Sequence, residues 1–229
     1  WVTLDRPEAR NALTWEMIEG LRRIFVEVRS DPRVGAVVLR GAGDRAFSAG
    51  ADLAGMTGGS VLDMHEARGR LPALFEAMWA CGRPTVASVR GYCLAGGLGV
   101  ALACDLVVAA DDAKFGTPEI NVGLWPYIIT VPLLRSMPPK RALELMMTGR
   151  RIDAGEADRF GFLTRVVAPE ELTAATAELA GSLASSPAGV IALGRDSFYR
   201  VVDSSASDAM AHLQSMLSLG SSLDDATEG

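Results

Sequence analysis

The sequence holds only two histidines, His65 and His212, and three cysteines, Cys81, Cys93 and Cys104, in 229 residues. That scarcity removes several chemistries. Both histidines lie on helical patterns rich in polar residues, a solvated setting, and neither has a serine beside it in a nucleophile motif. A Ser-His-Asp hydrolase and a zinc site are therefore not expected. The cysteines stand in apolar company and no two have metal-ligand spacing, which reads as reduced, buried thiols. Such usage fits a reducing compartment, and a cytoplasmic location is the expectation. There is no long run of Lys or Arg, and the net charge is −6. Bulk nucleic-acid binding needs a basic face and is not expected. No apolar run is long enough to span a bilayer; residues 100–110 come nearest, but the run is short and Asp105 interrupts it. No signal peptide is visible. The chain opens at Trp1, inside a strand pattern and without an initiator Met, so that absence carries little weight. No G-x-G-x-x-G follows a strand, and no P-loop Lys follows the glycines, so nucleotide folds have no fingerprint here.

What is present is apolar content, 49% of the residues, enough for one large domain or a domain with an appendage. Val2-Thr3-Leu4 reads as a strand. Thr14 caps a helix whose buried face is Met17, Leu21, Ile24, Phe25 and Val28, ended by Asp31-Pro32. Further strands are predicted over 35–41, 84–89, 105–110 and 163–167. Helices are predicted over about 62–80, 138–147 and 153–160. From Pro169 onward the pattern is helical only, with helices over roughly 188–202 and 205–219. Strands alternating with helices imply an α/β core with mostly parallel pairing. The division is a core over 1–168 and a helical region over 169–229. That tail is too small for its own core and should pack on the body or on a neighbouring subunit.

The most informative stretch is Gly91-Tyr92-Cys93-Leu94-Ala95-Gly96-Gly97-Leu98-Gly99, a glycine-rich turn running into an apolar helix that reaches Asp105. Such a turn aims unpaired N–H groups and a positive helix end at whatever lies in front of it. Close helix packing explains the same glycines equally well. In the loop 46–53, the small residues Ala49, Gly50 and Ala51 let backbone approach a ligand closely, or simply allow a tight turn. Glu119 follows Thr117-Pro118 among Phe115, Ile120, Val122, Leu124 and Trp125. A carboxyl among apolar side chains is desolvated, which raises its pKa and suits it to act as a base near neutral pH.

Five segments, taken in order, resemble the crotonase superfamily, which includes enoyl-CoA hydratases and isomerases. They are Arg6-Pro7-Glu8-Ala9-Arg10-Asn11-Ala12-Leu13, Ala46-Phe47-Ser48-Ala49-Gly50-Ala51-Asp52-Leu53, the turn and helix from Gly91 to Asp105, Phe115-Gly116-Thr117-Pro118-Glu119, and Thr148-Gly149-Arg150-Arg151-Ile152-Asp153-Ala154. The resemblance covers nearly the whole chain. It implies a spiral of strand–strand–helix repeats with a helical C-terminal region, assembled as a homotrimer or a pair of trimers. It implies an acyl-CoA substrate and no separate cofactor or metal, since coenzyme A is part of the substrate. The N–H groups of Ala51 and Gly96 would hold the thioester oxygen as it becomes an enolate, with Glu119 as acid/base. Arg10, Ala12, Ala49, Ala51, Asp52, Leu53, Gly96, Gly97 and Trp125 would contact substrate or coenzyme A.

Two departures bear on the reaction. The hydratases of that family carry a second glutamate on the helix after the glycine turn, and here that position is Gly99. One carboxylate suffices to move a proton between carbons, whereas hydration ordinarily uses two. An isomerase-type shuttle is thus the chemical expectation and a hydratase the commoner family activity; a non-catalytic acyl-CoA-binding member is the alternative. After Glu119, many hydratases continue with a glycine-rich loop where this chain has Leu124-Trp125-Pro126-Tyr127-Ile128-Ile129-Thr130. Trp125, Tyr127, Met56 and Phe75 are candidate walls of an acyl pocket. The chain ends at Gly229, short of the family's usual C-terminal end, which often helps to close the coenzyme pocket.

Overall fold

Three copies of one unit, strand–strand–helix, generate most of the body, and the computed structural model describes it over residues 1–52 and 60–222. After β1 (Val2–Leu4) and α1 (Trp15–Val28), the first unit is β2 (Val37–Gly41), β3 (Ala46–Ser48), α2 (Val61–Arg68) and α3 (Arg70–Trp79). The second is β4 (Thr85–Val89), β5 (Tyr92–Leu94) and α4 (Gly96–Ala103). The third is β6 (Leu106–Ala110), β7 (Lys114–Gly116), a 3-10 turn (Pro118–Val122), α5 (Thr130–Ser136) and α6 (Pro139–Thr148). Each unit gives its longer first strand to one sheet, ordered β1-β2-β4-β6-β9, and its short second strand to another, ordered β3-β5-β7-β8. The closing strands are β8 (Arg151–Asp153) and β9 (Arg165–Val167), with α7 (Ala154–Phe160) between them. Among the described residues every strand pair is parallel except β7–β8, so the expected α/β class and its largely parallel pairing hold.

The longer strands are buried on both faces, as parallel strands between layers must be. Val37, Leu39, Ala87, Val89, Val107 and Ala109 face the main core. Val38, Val86, Val108 and Ala110 alternate with them and pack on the other side against Leu172 and Ala180 of α8 (Leu172–Ala184). On that same side, buried Ser88 shares a 3.1 Å hydrogen bond with Thr176 of α8. α9 (Ala188–Val201) and α10 (Ala206–Gly220) follow.

The sequence reading needs three corrections. The segment Ala46–Ser48 is a strand rather than the start of a loop, and β5 precedes the glycine turn. Runs of three residues are too short to show a period, so neither strand is visible in the pattern. The helix expected over 62–80 is two helices meeting at Gly69, because Pro72 has no N–H to carry the ladder across the junction. In α1 the buried face includes Ile18 with Leu21 and Phe25, while Met17, Ile24 and Val28 are half-buried.

A partly buried carboxylate helps tie the tail to the body. Asp105, between α4 and β6, accepts from Arg195 Nε at 2.8 and 3.0 Å, from Tyr199 Oη at 2.6 Å, and from the Thr85 N–H and hydroxyl at 2.8 and 3.0 Å. The Arg195 guanidinium also donates to the carbonyls of Trp79 at 2.7 Å and Met78 at 2.6 Å. Only 7% of the Arg195 side chain is exposed, so removing its partner strands a buried charge. Asp105→Ala should therefore cost about 3 kcal/mol. At roughly 2–4 °C per kcal/mol for a chain of this size, the thermal midpoint drops by about 10 °C. Asp112→Ala, which breaks only the exposed pair with Arg90, should move it by no more than about 2 °C in the same melting experiment.

Candidate active site

Parallel pairing sends the ends of β3, β5 and β7 to one edge of the second sheet, so the three segments that follow them meet there. After β3 comes Ala49 to Asp52. Leu13 grips this segment as a bridge partner: its N–H donates to Gly50 O at 2.8 Å, and its carbonyl accepts from Asp52 N at 2.9 Å. Alternation along extended backbone then turns the N–H of Ala51 away from Leu13. Among the described residues, no hydrogen bond is donated by the N–H of Ala51.

After β5 the chain turns at Ala95 and enters α4 at Gly96. The Gly96 N–H is a first-turn donor with no partner within the helix, and among the described residues none is found elsewhere. The Ala51 nitrogen lies 3.7 Å from the point where a Gly96 Cβ would sit, so the two free N–H groups belong to adjacent backbone. This proximity depends on glycine. Gly50 has φ +101°, and a Cβ on it would lie 2.6 Å from the Ala95 methyl. Ala95 itself is held at φ 52° and ψ −130°, a sparsely populated conformation for a residue with a side chain. Its N–H donates to Gly116 O at 2.9 Å and its carbonyl accepts from Gly99 N at 3.1 Å, which fixes the turn.

After β7 the 3-10 turn carries Glu119. Burial pushes its carboxyl pKa above the ordinary Glu value, and Oε2 is buried without a hydrogen-bond partner. The group is thus a carboxyl whose proton affinity is raised and whose free oxygen is not committed to structure. Free N–H donors can stabilise a developing oxyanion, and a partly desolvated carboxyl can serve as a base.

The other expected contacts divide. Arg10, Ala12, Ala49, Ala51 and Asp52 form one front. Arg10 is exposed, in a left-handed conformation, and its carbonyl accepts from Ala49 N at 3.0 Å. Arg6 ties the front together, donating to Ala12 O and to Asp52, each at 2.9 Å. Buried Asn11 holds this strip on the sheet through Ala42 O at 3.0 Å and Ala46 O at 2.7 Å. Gly97 has a packing role, since a Cβ there would lie 2.6 Å from Ser48 Cβ. Trp125 is half-buried against the core. Tyr127 is 77% exposed and Phe75 is buried in the core. Leu53 and Met56 lie outside the described residues. Gly99 is buried, and the space its side chain would take is filled by Ile129 and Phe75. The supporting roles of Leu13 and Asn11 escaped the sequence reading; the left-handed bend at Asn11 leaves no periodic trace.

A cavity of about 270 Å³ lies elsewhere, lined by Trp79, Asp105, Arg135, Phe162 and Tyr199. Asp105 in its wall is paired with Arg195, and Arg135 is paired with Asp203 and stacks over the Trp79 ring at 4.1 Å. The described residues contain no group of His, Cys, Asp and Glu suited to a metal, and no helix long and apolar enough to cross a membrane.

The family model described as enoyl-CoA hydratase/isomerase matches residues 1–229. A probable enoyl-CoA hydratase of Mycobacterium tuberculosis is 33% identical over 233 residues, covering all of this chain and 88% of the relative. The crystal structure of an enoyl-CoA hydratase of Mycobacterium smegmatis superposes with a TM-score of 0.95 at 33% identity, covering 99% of this chain and 88% of that one. Human enoyl coenzyme A hydratase domain-containing protein 3 superposes at 0.93 with 30% identity, over 99% and 90%.

Burial that raises the Glu119 pKa has a signed consequence for stability. The folded chain keeps that proton to higher pH than the unfolded chain does. The contribution is complete below the unfolded value and is lost as pH rises through the folded one. Glu119→Gln should therefore melt above the parent at about pH 8, and the gap should close by about pH 4, the range of an ordinary Glu. A gap that widens on acidification would contradict a desolvated Glu119.

Proposed function

The chain belongs to the enoyl-CoA hydratase/isomerase family and acts on acyl-CoA; on that premise we propose that it moves a double bond of an enoyl-CoA thioester, with Glu119 as its single acid/base. The carrying observation is the pairing of a half-buried carboxyl that has a free oxygen with a glycine at position 99. In this reading the thioester oxygen accepts from Ala51 N–H and Gly96 N–H. Glu119 takes a proton from C2 of a 3-enoyl thioester, and the electron pair moves into the carbonyl to give a dienolate. Glu119 returns the proton at C4, leaving a 2-enoyl thioester with no net gain or loss of atoms. Each N–H is pre-aimed, and one such donor is worth roughly 3 kcal/mol in the transition state. Arg10, Ala12, Ala49 and Asp52 would bind the coenzyme A portion, which enters as substrate rather than as a resident cofactor, and Trp125 would contact the acyl chain.

Hydration is the second reading, favoured by the names of the relatives above. It would require Glu119 to activate water and supply the second proton transfer unaided. Purified chain assayed with a 3-enoyl-CoA and with crotonyl-CoA separates the two. Double-bond migration should exceed hydration and rise with pH through an apparent pKa above the ordinary Glu range. Glu119→Gln should lower it about 10²–10⁴-fold, the span of general acid–base effects. Turnover that survives this substitution overturns the assignment, and coenzyme A binding without turnover of either thioester would favour a binding protein.

A homotrimer or a pair of trimers is part of the same proposal. Exposed apolar side chains line the last two helices, among them Phe198, Met210 and Leu217, with Met210 and Leu217 more than 70% exposed among the described residues. Monomeric soluble proteins rarely leave such patches open. Light scattering should return a mass three or six times 24.2 kDa; a monomer at micromolar concentration would refute the assembly.

A further inference from the structure

Gly99 is not required by its backbone. It lies inside α4 with ordinary helical geometry, where glycine is a poor choice. It is required by space. A Cβ at position 99 would lie 2.4 Å from Ile129 Cγ2, 3.0 Å from Ile129 Cβ and 3.1 Å from Phe75 Cζ. Ile129 cannot swing aside, because both the branch methyl and the Cβ that carries it are in the way, and β-branched side chains are stiff at χ1. The residue is 3% exposed, just ahead of α5, and its carbonyl accepts from Leu133 N at 3.1 Å. The approach is fixed as well: Tyr127 N donates to Trp125 O at 2.8 Å, and the Thr130 hydroxyl donates to Pro126 O at 3.0 Å.

The position matters for the chemistry. Gly96 and Gly99 are three apart and share a face of α4, and side chains on a helix lean toward its N-terminus. A side chain at 99 would therefore lean toward the turn that carries the Gly96 N–H. Ile129, backed by Phe75, occupies that place with hydrocarbon. A bound water there would need two to four polar partners, and these side chains offer none.

We infer that Ile129 is the specificity-determining residue of this site: it closes the place of a second acid/base group, excludes water from it, and commits the reaction to proton transfer between carbons. This rests on the isomerase reading above. Gly99 and Ile129 form one steric unit, in which volume missing from α4 is supplied from the segment before α5.

Two measurements on the purified chain test this. The first is the ratio of hydration to double-bond migration for the parent, Ile129→Ala and the double variant Gly99→Glu/Ile129→Ala. The double variant should raise the ratio at least about tenfold, while Gly99→Glu alone should give less folded, poorly active protein. A folded double variant whose ratio stays within twofold of the parent overturns the inference. The second is a melting cycle independent of turnover. Gly99→Ala should lower the midpoint distinctly more when Ile129 is present than beside Ile129→Ala, which removes the nearest obstacle, Cγ2, but keeps the Cβ; additive effects overturn the steric unit. If the parent migrates no double bond but the double variant gains hydration, the isomerase reading fails and the role of Ile129 stands. If neither variant nor parent turns over any thioester, both fall.

Discussion

The site exists because two backbone segments that end different strands are allowed to touch. Gly50 gives way to the methyl of Ala95, and Gly97 gives way to Ser48. A side chain at either glycine would push the segment after β3 away from the start of α4. The N–H groups of Ala51 and Gly96 would then no longer share one target. The proposed chemistry presupposes that approach: a carboxyl delivered after β7 would be useful only where two donors already converge. The strained dihedrals of Ala95 belong to the same constraint, held by hydrogen bonds from both directions.

The two-sheet body serves this edge. Longer strands carry the core, with alternate residues packed on opposite faces, and the short strands carry the site. The division explains why the functional residues lie just past strands of three residues. A short strand ends early, so the chain leaves the sheet there while the layers behind it stay close-packed. The N-terminal strip from Arg6 to Leu13 acts as a clamp on the rim, with Asn11 anchoring it and Leu13 orienting Ala51.

Much of this could be read in the residues. The glycine turn, the Ala49–Ala51 run and Glu119 were identifiable because close backbone approach and a carboxyl in apolar company leave marks in composition. The C-terminal helices were identifiable because they run for three to four turns with a clear period. The short strands β3, β5 and β7 were not, since pairing rather than propensity makes them strands. Nor could the sequence show that Gly99 and Ile129 meet. They are thirty positions apart, and only the packing of α5 on α4 brings them together. Tyr127 and Ile129 look equivalent in the chain, yet one faces solvent and the other the core.

The carboxylate of Asp105 has a consequence for synthesis. Its guanidinium partner, Arg195, is 90 positions downstream. At about 5–20 residues per second, a ribosome needs roughly 5–20 s to make the intervening chain. During that interval the sheet strand beside Asp105 is complete, but the charge has no counterpart and stays hydrated. The nascent core therefore has a solvated gap at its base that only the ninth helix can close. Commitment to the native layers is deferred until α9 has been made, and that interval is when the half-built sheet is open to a chaperone or to another unfinished copy.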